Sequence, residues 1–149
     1  YNLQGYTAID LIQGRKFAFI GDGALLEQPS LERFHLMPSR IAHGVSKEQN
    51  LASLKVISGG LQFRHLKMVL YKGGILPNQY GTSIPTDLLV VGKGARASLY
   101  DILQSYPCKW VVIDSSNPQW QVKNWKKEAL RIKVQVFSTE AQGAFVLSW

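Results

Sequence analysis

The most constraining feature of this chain is the apolar run at residues 87–91, which reads Asp-Leu-Leu-Val-Val. A run without polar alternation is typical of a strand that is buried on both faces. Residues 98–106 follow with apolar side chains at helical spacing, at positions 99, 102, 103 and 106. Residues 110–113 form a second apolar run. The order strand, helix, strand indicates an α/β fold.

A second helix and two closing strands are predicted after residue 113. The pair Asn117-Pro118 favours a helix start, because proline is tolerated at the first helical position, and the helix should run to about Leu130. Residues 134–137 and 144–147 read as strands. Residues 86–149 are therefore predicted to form a β-α-β-α-β-β unit.

The first half of the chain, residues 1–85, is predicted to be rich in antiparallel hairpins. One hairpin joins residues 7–12 to residues 16–20 through a short glycine-containing turn. A second joins residues 61–63 to residues 67–71, and residues 54–58 form another short run.

Between these hairpins, residues 30–37 favour one or two helical turns that Pro38 closes, and residues 41–49 are predicted as a loop. We expect a single domain over residues 1–149. Its first residue is Tyr1 and not Met, from which we expect a piece of a longer protein. No apolar run approaches the ~18 residues that span a membrane.

The charge is uneven. The chain has 17 Lys and Arg against 10 Asp and Glu, a net charge of +7, which favours polyanionic partners such as nucleic acid, anionic lipid or acidic protein surfaces. The alternative is a basic surface without a specific partner. Five cations lie within eleven positions, with Glu128 as the only acid among them: Lys123, Lys126, Lys127, Arg131 and Lys133.

On a helix, Lys123 and Lys127 share one face and Lys126 lies close by, an arrangement that suits contacts to phosphates. Trp120 is a candidate to stack on a base. The alternative is that Trp120 and Trp125 both pack in the core beside a solvated row of lysines.

Motifs for chemistry are scarce. The three histidines, His35, His43 and His65, have no metal-binding spacing, and Cys108 has no partner cysteine and is expected to be a small buried side chain. No nucleophile motif is present, and no cofactor or small-molecule substrate is predicted. The turn Gly92-Lys93-Gly94-Ala95-Arg96 offers backbone amides before a helix, where an anion could bind, or is simply a tight connection with solvated charges.

Several short phrases in order resemble the C-terminal part of ComEC-type competence proteins, in the version found in Bacteroidetes. The phrases are Tyr-Thr-Ala-Ile-Asp at 6–10, Phe-Ala-Phe-Ile-Gly-Asp at 17–22, Phe-His-Leu-Met-Pro at 34–38, Asp-Ser-Ser-Asn-Pro at 114–118 and the segment 137–145. ComEC proteins are polytopic membrane proteins of bacterial DNA uptake. The resemblance implies an incomplete metallo-β-lactamase-like fold and a transmembrane channel part in the same inner-membrane polypeptide. It also implies a soluble domain on the periplasmic side.

The departures from that family concern its metal ligands. Asp22 matches a ligand position, but the family's HHGS turn is replaced by residues 92–96, and the GHP histidine has no counterpart between Asn117 and Trp125. The family's HxHxDH motif would lie before Asp22, and the 21 residues there contain no histidine. The resemblance therefore implies a degenerate metal site without catalytic residues.

Three functions follow as alternatives. The first is a non-catalytic accessory domain of a DNA-uptake channel that contacts DNA through basic residues, namely Lys93, Arg96, Lys123, Lys126 and Lys127. The second is a metal-dependent nuclease or phosphodiesterase whose ligands come from an unusual arrangement or from upstream sequence. The candidate ligands in this chain are Asp22, His35, His43, His65 and Asp114. The third is a structural cap on the membrane channel that binds nothing itself.

Overall fold

The computed structural model describes residues 1–45 and 47–148, with the side chains of Lys47 and Glu48 left undescribed. The strands are β1 (Ala8–Gln13), β2 (Lys16–Gly21), β3 (Lys47–Glu48), β4 (Leu54–Ile57), β5 (Gly60–Phe63), β6 (Leu66–Tyr71), β7 (Leu88–Val91), β8 (Trp110–Ile113) and β9 (Phe137–Ser138). The α-helices are α1 (Ala24–Glu27), α2 (Pro29–Leu31), α3 (Met37–Ala42), α4 (Leu99–Ser105), α5 (Gln119–Arg131) and α6 (Thr139–Gln142). A π-helical turn spans Glu32–Leu36, and a 3-10 turn spans Pro77–Tyr80.

The described strands form two sheets. The smaller sheet has the order β1-β2-β3, with β1 antiparallel to β2 and β3 parallel to β2. The larger sheet follows chain order from β4 to β9. Its first three strands pair antiparallel, and β6, β7, β8 and β9 pair parallel. The predicted α/β class and both hairpins are confirmed.

The elements stack as helices, large sheet, small sheet and helices. One face of the large sheet packs on α4 and α5 through a cluster that includes Leu89, Val91 and Trp125. Its other face packs on the hairpin β1–β2, with Met68, Val90 and other apolar side chains between them. The far side of the hairpin is covered by residues 24–36, which bury Leu25 and Leu36 completely. Because β7 is buried from both sides, its sequence shows no polar alternation.

The helical segment of the first half is longer than predicted. Pro38 does not end it, because the proline lies in the first turn of α3, where a missing N–H group costs little. The predicted loop at 41–49 was also wrong in part, since Ile41 and Ala42 complete α3 and β3 lies at 47–48. Ser46 lies outside the described residues.

The end of the chain also differs from prediction. Of the predicted strand at 134–137 only Phe137 pairs, with Ser138 beside it in β9. The predicted strand at 144–147 was wrong, since these residues form no strand within the described chain. The apolar pattern is that of a strand, but a strand also needs a neighbouring chain for its backbone groups. The last β in the predicted β-α-β-α-β-β unit is therefore replaced by α6 and a tail without regular secondary structure.

Among the described helices α5 is the longest, with 13 residues. None of them combines the length and the apolar character that crossing a membrane requires.

Candidate functional site at the carboxyl edge of the parallel strands

Buried polar side chains collect where the parallel strands end, and we call this place the carboxyl edge. In open α/β sheets the carboxyl ends of the strands are the usual position of a ligand site. The buried polar residues of the carboxyl edge follow or end β8 and β9, or precede β1: Asp114, Ser115, Ser116, Asn117, Ser138, Thr139 and Thr7.

Asp114 is the centre of this cluster. Its Oδ2 accepts a hydrogen bond from the hydroxyl of Thr7 at 2.6 Å, and its Oδ1 accepts bonds from the hydroxyl and the backbone N–H of Ser116. The amide of Asn117 also donates to Oδ1, at 3.2 Å. Burial raises the pKa of Asp114, although these hydrogen bonds and the charge of Lys72 act in the opposite direction. The structure thus holds a carboxyl group inside a ring of donors.

Gly92 makes this close packing possible. A Cβ atom there would lie 3.0 Å from the Thr7 hydroxyl, 3.2 Å from Cγ of Lys72 and 3.4 Å from Oδ2 of Asp114. An alanine would touch Asp114 at ordinary contact distance but would press on the Thr7 hydroxyl and on the Lys72 side chain. The glycine that opens the β7–α4 connection therefore has a packing role that its sequence position alone does not reveal.

Asp22 follows β2 and lies beside the same edge. Its Oδ1 is 2.5 Å from Nζ of Lys72, and its Oδ2 accepts the backbone N–H of Thr7 at 2.7 Å. Burial alone would raise the pKa of Asp22, but these two hydrogen bonds and the nearby charge of Lys93 outweigh it and lower the pKa. Both oxygens of this carboxylate are thus bound by groups of the protein itself.

Three buried polar atoms of the carboxyl edge have no hydrogen-bond partner within the described chain. They are Oδ1 of Asn117, Oγ of Ser138 and Oγ1 of Thr139. Unsatisfied buried polar atoms are uncommon in folded proteins and call for a specific explanation. The carboxyl edge therefore holds buried polar groups that the described residues leave without a hydrogen bond.

The residues present do not fit the metal centre of the family's catalytic members. Such a centre needs about three protein ligands, yet within residues 1–45 and 47–148 no group of three His, Cys, Asp or Glu side chains is placed to hold a metal ion. Asp22 is bound by Lys72, and Asp114 is surrounded by its own donors. The three histidines of the nuclease alternative are exposed.

The basic residues of the β7–α4 connection lie at the carboxyl edge. Lys93 and Arg96 are both exposed, and the backbone N–H of Lys93 donates to the hydroxyl of Ser116 at 2.8 Å. The side chain of Lys93 is near enough to Asp22 to lower the pKa of that carboxyl group. Lys93 is therefore part of the cluster, whereas no described hydrogen bond or ion pair links Arg96 to it.

The basic residues of α5 lie on a helix that packs against the same connection. Trp125 is only 1% exposed and donates its ring N–H to the carbonyl of Ala97 at 3.1 Å. Glu128 accepts the backbone N–H of Leu99, which ties α5 to the start of α4. Trp120 is 63% exposed, so the two tryptophans have different environments and only Trp125 packs in the core.

The solvent face of α5 carries cations beside Trp120. Lys123, Lys127 and Arg131 are exposed, and Lys126 is half-buried. Positions 120, 127 and 131 align along the helix, with Trp120 and Lys127 about 10 Å apart along the axis. We call this surface the α5 face.

Sequence reasoning missed most of the carboxyl edge. Thr7 and Asp114 meet although 107 positions separate them, and Lys72 reaches Asp22 across 50 positions. The sequence did contain one indication of the site, because Lys72, Lys93 and Asp114 each follow the end of a parallel strand. Using it requires knowing that β6 runs parallel to β7, which puts the three residues at the same edge of the sheet.

The fold and this edge define an α/β domain with helices on both sides of two sheets and a polar site at the ends of its parallel strands. Comparison with protein-family models matches residues 1–149 to the ComEC C-terminal domain, and the chain belongs to this family. The family links the chain to the uptake of DNA by competent bacteria. Searches of curated proteins and of solved structures gave no significant match.

Proposed function

We propose that this chain is one non-catalytic accessory domain of a DNA-uptake protein and that it contacts DNA through the α5 face and the β7–α4 connection. The observation that carries the proposal is the exposed row of cations on α5, in a chain of the ComEC C-terminal family. The contacting residues are Lys93, Arg96, Lys123, Lys126 and Lys127.

Electrostatics supports phosphate as the ligand. The cations of α5 have Glu128 as their only acidic neighbour on the helix, and that carboxylate faces inward to bind the amides of Leu99 and Tyr100. It therefore does not neutralise the exposed lysines. Contacts between lysine and phosphate are independent of base sequence, so binding should be nonspecific and strongly dependent on salt.

Fluorescence anisotropy with labelled DNA tests this proposal. We expect the affinity to fall steeply as salt rises, and the triple variant Lys123→Glu/Lys126→Glu/Lys127→Glu to reduce the slope of log K against log salt by about 2 to 3. The matched control is Lys16→Glu/Lys55→Glu/Lys67→Glu. It changes the net charge by the same amount, at exposed positions on β2, β4 and β6 instead of α5. Equal loss of affinity in both variants, or no DNA binding at low salt, would overturn the DNA contact.

The β7–α4 connection is tested separately. The double variant Lys93→Glu/Arg96→Glu should weaken DNA binding while the protein stays folded, because both side chains are exposed. Unchanged affinity would remove these two residues from the interface and leave the α5 face as the only candidate.

The absence of catalysis is a separate part of the proposal. It is supported by the engagement of both carboxylates near the carboxyl edge, Asp22 by Lys72 and Asp114 by Thr7 and Ser116. The test is calorimetry with Zn²⁺ and Mn²⁺ and a cleavage assay on labelled DNA with the same ions. Stoichiometric metal binding together with cleavage would favour the nuclease alternative.

We also propose that the domain belongs to a polypeptide with a transmembrane channel part and lies on its periplasmic side. The family match supports the membrane-protein context, and the periplasmic side is what the sequence resemblance implies. A reporter enzyme that is active only in the periplasm, fused to the end of the full-length protein, should be active. An active cytoplasmic reporter at the same position would contradict the periplasmic side.

A further inference from the structure

The free edge of β1 is the first of two unpaired backbone segments that line the same cavity. Within the described chain β1 pairs with β2 and with no other strand. A two-residue turn joins Gln13 to Lys16, and in such a hairpin bonded and non-bonded pairs alternate from the turn onwards. The backbone groups that point away from β2 thus belong to Ala8, Asp10 and Ile12.

Two contacts agree with this alternation. The carbonyl of Thr7 accepts the N–H of Asp22 on the β2 side at 2.9 Å. The carbonyl of Ala8 accepts the amino group of Tyr1 on the opposite side at 3.0 Å. No residue within 1–45 and 47–148 hydrogen-bonds the backbone of Asp10 or Ile12 on that side.

The second edge is the segment 144–148. Its sequence pattern is that of a strand, yet its backbone has no strand partner within the described residues. Phe145 anchors it, with its ring centroid 5.1 Å from that of Phe137 and 6.2 Å from that of Trp110. The segment is thus held in place next to β8 and β9 without the hydrogen bonds that a strand normally makes.

A cavity of about 350 Å³ lies between these two edges. Its walls include five consecutive residues of the β1 region, 8–12, and five consecutive residues of the tail, 144–148. Since side chains alternate between the two faces of a strand, consecutive residues can line one space only along the strand's edge. The cavity is also lined by apolar side chains of the large sheet, including Met68, Leu88 and Val90.

We propose that this cavity is the slot for one extended peptide segment that pairs antiparallel with β1 and, on its other side, with residues 144–147. Strand addition of this kind uses main-chain hydrogen bonds for affinity and pockets for alternate side chains for selectivity. The inserted segment therefore has apolar residues at alternate positions, facing Met68, Leu88 and Val90. Its insertion would turn the tail into the strand that its sequence pattern predicts.

The segment comes from the same ComEC polypeptide. The matched family is described as a C-terminal domain, so such a polypeptide has chain on its N-terminal side. A tethered strand binds at high effective concentration and needs little intrinsic affinity. Tyr1 lies at the Ala8 end of the slot, so a strand joined there would run alongside β1 towards Ile12.

The test is a fusion of an octapeptide of alternating Thr and Val directly before Tyr1. The matched control carries proline in place of the two central valines, since proline cannot donate to the ladder. Hydrogen exchange of the Asp10 and Ile12 amides should be about tenfold slower with the Thr-Val fusion, which corresponds to one net hydrogen bond of typical strength. Amides within 144–147 should be protected as well.

A variant in the domain completes the test. Ile12→Pro removes one outward donor of β1 but none of its bonds to β2, and an edge strand tolerates proline at such a position. It should abolish the difference between the two fusions. Equal hydrogen-exchange rates in the two fusions would overturn the proposal. Protection that grows with protein concentration would also overturn it, because the slot would then be filled by a second copy of the chain.

Discussion

Lys72 places its ammonium nitrogen 2.5 Å from Oδ1 of Asp22, so a lysine binds the carboxylate that the sequence resemblance predicts to match a metal ligand. The pair joins the end of β6 to the end of β2 and thereby connects the two sheets. Asp22 is thus part of an ion pair at the carboxyl edge.

Replacing Lys72 by Met should raise the pKa of Asp22, because its largest favourable partner is lost. A lowered folded-state pKa contributes stability above the unfolded pKa, which is lost as the pH falls through the folded value. The pair is partly exposed, so the free energy of unfolding at pH 7 should fall by only about 0.5 kcal/mol. NMR titration of Asp22 and urea unfolding at pH 7 and pH 2 measure both effects. An unchanged pKa of Asp22 would contradict the pairing.

Replacing Asp114 by Asn should affect stability in a way that depends on pH. The raised pKa of Asp114 means that the folded protein favours the protonated form, so this group contributes stability at low pH. That contribution is lost as the pH rises from the ordinary value of 3.8 through the folded-state pKa. The stability advantage of the original protein over Asp114→Asn should therefore shrink as the pH rises. Urea unfolding of both proteins between pH 3 and 8 tests this, and parallel curves would contradict it.

Arg40 is a buried structural cation. It is 2% exposed, its Nε and Nη2 contact the two oxygens of Asp10 at 2.8 and 3.0 Å, and its Nη1 lies 2.7 Å from Glu32. Arg40→Met would leave the Asp10 carboxylate buried without its cation, although the Tyr1 hydroxyl would still donate to it. The loss should cost about 3–5 kcal/mol of unfolding free energy.

The control for Arg40 is Arg33→Met, an exposed position of the same helical segment, where the change should be within about 0.5 kcal/mol. The double variant Arg40→Met/Asp10→Asn should recover part of the loss, because it removes the unpaired charge. Denaturant unfolding measures the free energy of unfolding of all three variants. If Arg40→Met lowers it no more than Arg33→Met does, Arg40 is not a structural cation.

Cys108 should react slowly in the folded protein. Burial raises the pKa of its thiol to about 11, whereas an unperturbed cysteine has a pKa of about 8.5. Only the thiolate is nucleophilic, so alkylation by iodoacetamide at pH 8 should be about two orders of magnitude slower than in denaturing urea. Comparable rates in both solvents would show that the thiol is not protected by the fold.

Local patterns predicted the elements that build the large sheet and its helices. The apolar run of β7 and the helical spacing of α4 are each contained within a few neighbouring residues, and both elements formed as expected. Ser98 even caps α4, as its side chain accepts the N–H of Asp101. The apolar run at 144–147 is an equally clear strand pattern, but it forms no strand in the described chain. A strand needs a neighbouring strand to pair with, and the local sequence does not show whether one is present.

The candidate site was predicted less completely. Lys93, Asp22 and Asp114 were singled out from the sequence, and the structure brings all three to the carboxyl edge. Lys72 and Thr7 were not singled out, because a lysine in a glycine-rich loop and a threonine before a strand are common. Their importance comes from partners that are 50 and 107 positions away.

The sequence by itself determined the α/β class and the positive charge, because each is a property of composition or of short periodic segments. The tertiary structure decided which polar groups meet at the carboxyl edge, that Trp120 is exposed while Trp125 is buried, and that β1 and the tail have unpaired edges. These features depend on contacts between distant segments. Local propensity carries no information about them, since the packing of whole layers sets which chain ends lie side by side.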